Sequence, residues 1–336
     1  MQAVVFEETG EPADVLSCQE KPLPIPARGE VRVRMLCSPI NPSDLMYIRG
    51  RYGIQPHLPA TPGFEGVGIV EASGGGLLGM LYKGKRVVVL NKDTGNWAEQ
   101  TVVPARQAVP IPDDLPVEQA AMFFVNPATS YVMTQEVLRV PQGAWLLQTA
   151  AGSALGKMII RLGKVYGFKT LNVVRRSDQV EELKALGGDA VICFDGKPDG
   201  REEFLKQVAD TTGKNGLSYA IDPVGGETGS AAAAALTDNG RLLIYGSLSN
   251  EPISLSSRQF ISHNIRVEGF WLSRFMQEQN LIGKLKLVKK ITRLMQNDVL
   301  QAEVGNIFEL AQIKEAVRES EASGKGGKVL LKIGAE

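Results

Sequence analysis

The chain has 336 residues, too many for one ordinary core and suited to two domains, or to one domain inserted into another. With 43% hydrophobic and 22% charged residues it reads as a soluble globular protein able to bury a large core. Lysine plus arginine equals aspartate plus glutamate at 37 each, so no overall field recruits nucleic acid or an anionic membrane, and any basic site has to be local.

From Met1 to about Leu115 the pattern is of short strands broken by Gly and Pro: "AVVFEE", "EVRVRMLCSPI", "GVGIVEAS", "KRVVVL" and "WAEQTVVPARQAVPIPDDLP". That density of turn signals predicts a compact, mostly β unit with little helix. The first helix signal is "VEQAAMFFVNPATSYVMTQEV", started by an acidic pair and Pro116. From Trp145 strand and helix alternate through "AWLLQTA", "LGKMIIRLGKVYG", "KTLNVVRR", "DQVEELKALGG", "DAVICF", "EEFLKQVADTTG", "LSYAIDPVG", "ETGSAAAAALTDNG" and "GRLLIYGS". Short apolar strands in that order predict a doubly wound parallel sheet covered on both faces. "IRVEGFWL" and an amphipathic helix over 281–298 follow, and the closing strand "GGKVLLKI" is expected to complete the N-terminal sheet.

Cys18, Cys37 and Cys193 are scattered and odd in number, which favours a reducing compartment over a disulfide framework. The N-terminal "MQAVVFEETG" enters a strand pattern directly, and nowhere do about 18 apolar residues run without a charge. A cytoplasmic location, with neither nucleic acid nor membrane as partner, is the expectation.

"LLQTAAGSALGKMIIRLG" has the outline of a strand, a tight turn and a helix, the arrangement that cradles a dinucleotide pyrophosphate. Ala150, Ser153 and Gly156 occupy the three glycine positions of a G-x-x-G-x-x-G turn, with Gly152, Ala154 and Leu155 between them. Small residues there are nearly as permissive as glycine, so either a cofactor loop or a purely structural turn is compatible with the motif. About 20 residues on, where this fold reads the ribose, stand Arg175 and Arg176 rather than an acid. Guanidinium groups at that place pair with a 2′-phosphate and select NADPH, the other reading being two solvated arginines capping the strand.

The segments "INPSD", "RYG", "VNPATSY", the Ala-x-x-Ser-x-x-Gly loop, "NVVR" and "GFWLS" together resemble the 2-enoyl thioester reductases, within the zinc-independent medium-chain dehydrogenase/reductase superfamily. "GFEGVG" and "GKVLL" mark only the superfamily. The resemblance covers essentially the full length. It implies a GroES-like β domain over 1–116 and 266–336, a Rossmann domain over 117–265, and an active site in the cleft between them.

It also implies roles. Tyr52 matches the family's proton donor to the α-carbon, and Asn41 a residue lining the nicotinamide and substrate cleft, so these two are the expected catalytic residues. Asn126 and Thr129 match positions near the nicotinamide. Trp271 matches a tryptophan of the substrate pocket, and with Phe270 and Tyr245 it is expected to border the cofactor. Departures are Arg51 in "GRYG", a second phenol at Tyr47, and the glycine-rich "SGGGLLGMLYKGKR" with Lys85 at a usual Asp position; they leave the acyl group open.

No metal is expected. Phe64 in "GFE" replaces the histidine of the zinc-dependent relatives, the place of their cysteine falls in "INPSD", and only His57 and His263 are available. Carbonyl reduction then lacks its electrophile, whereas reduction of an activated C=C bond needs only a hydrogen-bond donor and a proton source. The expectation is an NADPH-dependent reductase of activated alkenes, most of all enoyl thioesters, working as a homodimer. A quinone or alkenal reductase of the same architecture and an NADPH-binding protein without turnover are the alternatives.

Overall fold

A computed structural model describes residues 1–322 and 326–335, apart from the side chain of Leu281. The chain divides into two compact units, one formed by Met1–Val125 with Ala302–Glu336, the other by Asn126–Gln301.

In chain order the first unit contains β1 (Gln2–Val5), α1 (Pro12–Val15), β2 (Ser17–Glu20), β3 (Glu30–Pro39), α2 (Pro42–Ile48), β4 (Glu65–Ser73), α3 (Leu77–Tyr82), β5 (Arg86–Leu90), β6 (Gln100–Pro104), β7 (Ala108–Pro110) and α4 (Val117–Ala121). Helix α5 (Val125–Tyr131) leads into the second unit. There follow β8 (Trp145–Gln148), α6 (Ala154–Tyr166), β9 (Lys169–Val174), α7 (Val180–Ala185), β10 (Ala190–Cys193), α8 (Arg201–Thr212), β11 (Tyr219–Asp222), α9 (Gly226–Ala234), β12 (Arg241–Ile244), α10 (Ser257–His263), β13 (Arg266–Gly269), α11 (Leu272–Glu278) and α12 (Leu281–Gln296). The chain returns to the first unit with β14 (Val304–Glu309), α13 (Ile313–Glu321) and β15 (Lys328–Lys332).

The first unit is built on a sheet ordered β14-β15-β3-β4-β5-β7, with β6 also paired to β3, beside a β1-β2 hairpin. Alternation in "EVRVRM" turns Val31, Val33 and Met35 inward, where they pack with Val70, Val87, Val89 and Val103. A second core joins Phe6, Ile40, Tyr47, Ile48 and Trp97 to Ile313, Val317 and Leu331 from the C-terminal stretch. The closing strand completes the N-terminal sheet as expected, β15 running antiparallel to β3.

The second unit carries a six-stranded, wholly parallel sheet ordered β10-β9-β8-β11-β12-β13. The chain order along the sheet reverses between β8 and β11, the switch point at which such folds bind ligands beyond the carboxyl ends of the strands. Leu147, Leu171, Val173, Phe204, Ala220 and Leu242 are among the residues of its main core.

The contact boundaries at 125/126 and 301/302 differ from those expected at 116/117 and 265/266. Two interactions explain this. Gln119 on α4 donates from Nε2 to the Ala302 carbonyl at 2.8 Å and accepts the Ala302 N–H at 3.1 Å, within the first unit. The segment 266–269 pairs in parallel with β12 and so extends the second unit's sheet. Among the described residues no helix is long and apolar enough to cross a membrane.

Candidate active site

In the second unit the parallel sheet gathers most of the expected cofactor residues at one edge. Strand β8 ends at Gln148, and the chain then turns through Ala150 with φ of 50°. Glycine is favoured in that left-handed region, and an alanine there costs about 1 kcal/mol. Ser153 caps α6 by accepting the Gly156 N–H on Oγ at 3.1 Å, while the first-turn N–H groups of Ala154 and Leu155 have no intrahelical acceptor. Gly156 is required by packing, since a Cβ there would overlap the Ala151 carbonyl. A Cβ at Gly152 would overlap the side chain of Gln179, which reaches the loop from beyond β9. The turn thus offers close backbone approach and free donors at a helix start, which fits a pyrophosphate.

Arg175 and Arg176 follow β9 at the same edge. They differ in surroundings: Arg176 Nε is 3.2 Å from Asp178 Oδ1, whereas Arg175 is exposed. Tyr245 follows β12, its N–H donating to the Asp222 carbonyl at 3.0 Å, and burial pushes its phenol well up. Phe270 and Trp271 follow β13, Trp271 immediately preceding α11. Asn126 and Thr129 are on α5, where a spacing of three puts them on one helix face.

The switch point also holds a pair of residues distant in the chain. Thr149 follows β8, Asp222 ends β11, and the Thr149 hydroxyl donates to Asp222 Oδ1. Asp222 also accepts the N–H groups of Gly225 at 2.7 Å and Val224 at 3.1 Å. Burial nevertheless pushes its carboxyl up, against those hydrogen bonds. The carboxylate therefore ties together the two loops that flank the switch point.

In the first unit Asn41 and Tyr52 are linked through Asp44 and Phe64. Asn41 caps α2, with its N–H donating to Asp44 Oδ2 at 2.8 Å. Asp44 Oδ1 accepts the Phe64 N–H at 2.9 Å, and the Phe64 ring lies 5.2 Å from the Tyr52 ring. The Gln55 amide braces the turn by donating to the Tyr52 carbonyl at 3.2 Å. Tyr47, the second phenol, is buried in edge contact with Phe6 and Phe64, and burial raises its pKa. Tyr52 is the half-buried one of the two, and hence the better placed to meet a substrate.

Glu65 was not foreseen from the sequence. It is fully buried and accepts Asn41 Nδ2 on Oε1 at 2.9 Å, with the N–H groups of Phe124 and Val125 on Oε2 at 3.0 and 2.8 Å. Because a carboxylate only accepts, it holds the Asn41 amide with its NH2 toward Glu65, leaving Oδ1 buried with no hydrogen-bond partner. Burial raises the Glu65 pKa, opposed by these bonds and by Lys328. Asp44 is pushed up to about 7 by burial, with the N–H groups of Asn41 and Phe64 and the charge of Lys328 pulling the other way.

That shift has a sign. The folded chain holds the Asp44 proton where the unfolded chain has released it, so this contribution to stability is full below about pH 4 and is lost as pH rises through about 7. Asp44→Asn loses one accepted N–H at every pH but lacks the titration. Urea unfolding should show the variant gaining on the native protein by about 1–3 kcal/mol between those limits. A difference that stays flat with pH would mean that Asp44 titrates alike in both states.

Cys37, on β3, is buried and its thiol pushed up to about 12 by burial first and Glu118 second. Among the described residues no group of three His, Cys, Asp or Glu side chains is placed to hold a metal ion.

Comparison with known proteins agrees with this architecture. Residues 27–113 match the alcohol dehydrogenase GroES-like domain and residues 154–287 the zinc-binding dehydrogenase domain. A Dictyostelium discoideum mitochondrial enoyl-[acyl-carrier-protein] reductase is 31% identical over 90% of this chain and 86% of its own length. The human enzyme of that name is 29% identical over 95% and 85%. A Bacillus thuringiensis structure provisionally assigned as an NADPH:quinone reductase superposes with a TM-score of 0.89 at 33% identity over 98% of both chains. Etr1p, solved in complex with NADP and crotonyl-CoA, superposes with a TM-score of 0.84 at 26% identity over 98% of this chain and 99% of its own. A likeness that runs through both units and nearly the whole length of each relative places this chain in the medium-chain dehydrogenase/reductase superfamily of oxidoreductases, on the side of its enoyl thioester reductases.

Proposed function

We propose that the protein reduces the C=C bond of 2-enoyl thioesters with NADPH and without zinc. The observation that carries this reading is the half-buried Tyr52 ring packed on Phe64, which Asp44 links to Asn41, whose amide Glu65 orients. The cofactor assignment is supported by the small-residue turn and by Arg175, both at the carboxyl edge of the sheet, and by the NADP bound to Etr1p. Bound there, NADPH supplies a hydride.

The chain's own residues do the rest. Ala154 and Leu155 N–H groups and the α6 N-terminus take the pyrophosphate charge, and Arg175 takes the 2′-phosphate. Hydride arriving at the β-carbon leaves negative charge on the thioester oxygen and the α-carbon. Tyr52 donates its proton to the α-carbon, and Asn41, its amide fixed by Glu65, is a positioning residue. Zinc independence rests on the side chains present: Phe64 where zinc-dependent relatives have histidine, and "INPSD" where they have cysteine. Activity should therefore survive a chelator, and metal analysis showing one zinc per chain, lost together with activity, would overturn that part.

The test is a substrate panel followed by NADPH absorbance. Crotonyl-CoA should be turned over with a higher kcat/KM than any quinone. A quinone preference would favour the second reading, for which the Bacillus thuringiensis likeness speaks. No oxidation with any acceptor would favour a binding protein without turnover. Three free cysteines are in keeping with a reducing, cytoplasmic setting, and the open edge of β13 with a homodimer paired through that strand.

A further inference from the structure

Helix α3 is built inside out. At about 100° per residue, Met80, Leu77, Leu81 and Leu78 form one continuous arc, and Gly79 and Tyr82 the remainder. The protein takes the small side: a Cβ at Gly79 would overlap Ser73 Oγ on β4, and Tyr82 packs on the valine core of the sheet. The large apolar side faces solvent, with Leu77 84%, Met80 72%, Leu81 63% and Leu78 42% exposed.

The helix is also firmly held. The Met80 N–H donates to the Gly76 carbonyl at 3.1 Å, Gly84 to the Val70 carbonyl at 2.8 Å, and Gly29 to the Gly75 carbonyl at 3.1 Å. The adjoining loop, whose Ala27 carbonyl lies against Gly74, adds Ile25 at 87% exposed. Around this apolar face stand exposed cations: Lys83 and Lys85 just after the helix, Arg28 beside Gly29, and Arg106 in the short turn Ala105–Gln107 that packs on α3.

We propose that this face docks on an anionic lipid bilayer, α3 entering the interface with its apolar arc and the basic collar meeting the headgroups. The argument is charge and size. Four side chains on six residues cover much less than the ~800 Å² per partner of a standard protein interface. Shallow insertion needs only a few apolar side chains together with cations. The balanced net charge, which argues against a membrane partner, conceals this local basic patch. The inference does not depend on the proposed reaction.

Vesicle flotation tests it, using phosphatidylcholine vesicles with and without phosphatidylglycerol. The native protein should float with the anionic vesicles, less so at high salt. Leu77→Gln/Met80→Gln/Leu81→Gln should abolish flotation, and Lys83→Gln/Lys85→Gln should weaken it roughly 30-fold. Thermal unfolding checks that both variants fold, and if the triple variant does not, Leu77→Gln alone and the lysine pair decide. Failure of the native protein to float, or unchanged flotation of the variants, overturns the proposal. So does a fall in mass by light scattering in the triple variant, which would make the face a contact between copies of the chain.

Discussion

Tyr52→Phe should lower turnover of crotonyl-CoA by about 10²–10⁴-fold, the span expected when a positioned acid is lost. The substitution keeps the ring that packs 5.2 Å from Phe64, so the turn and the affinity for NADPH should hardly change. A quinone, which can take its protons from water after reduction, should lose much less. The comparison therefore separates the two reductase readings in one experiment. If Tyr52→Phe turns crotonyl-CoA over at nearly the native rate, another group is the acid. Tyr47 is poorly placed to inherit the role, because its phenol is buried among Phe6 and Phe64.

Replacing both Arg175 and Arg176 by Ala should collapse the preference for NADPH over NADH, since each charge-assisted contact to a 2′-phosphate is worth roughly 1.5–3 kcal/mol. The two should not contribute equally. Arg176 is engaged by Asp178 at 3.2 Å and must give up part of that pairing to reach a ligand, whereas Arg175 is exposed at the strand end. Arg175→Ala alone should therefore cost about 10–100-fold in NADPH affinity and leave NADH binding nearly unchanged, with Arg176→Ala the milder of the two. Titration by cofactor fluorescence reads both. Equal affinity of the native protein for the two cofactors would defeat the assignment.

Local periodicity by itself determined much of this protein. Alternating apolar residues in "EVRVRM", short apolar runs separated by helices after Trp145, and a small-residue turn after β8 each depend on neighbours within a few positions. So the β-rich unit, the parallel sheet, the loop at α6 and the return of β15 were all legible. The arginines after β9 were legible for the same reason, since a strand end followed by a charge needs no distant partner.

What only the tertiary structure decided involves residues far apart in the chain. Glu65 orients Asn41 across 24 positions and reaches Phe124 across 59, and Thr149 meets Asp222 across 73. Glu65 stands in "GFEGVG", but that pattern does not show its role, which lies in burial and in the donors that the fold carries to it. The pairing of 266–269 is a similar case: which sheet it joins depends on which edge is open to it, here that of β12. Helix α3 went unread because its apolar residues point outward and a glycine points in, so its pattern opposes the one by which buried helices are recognised.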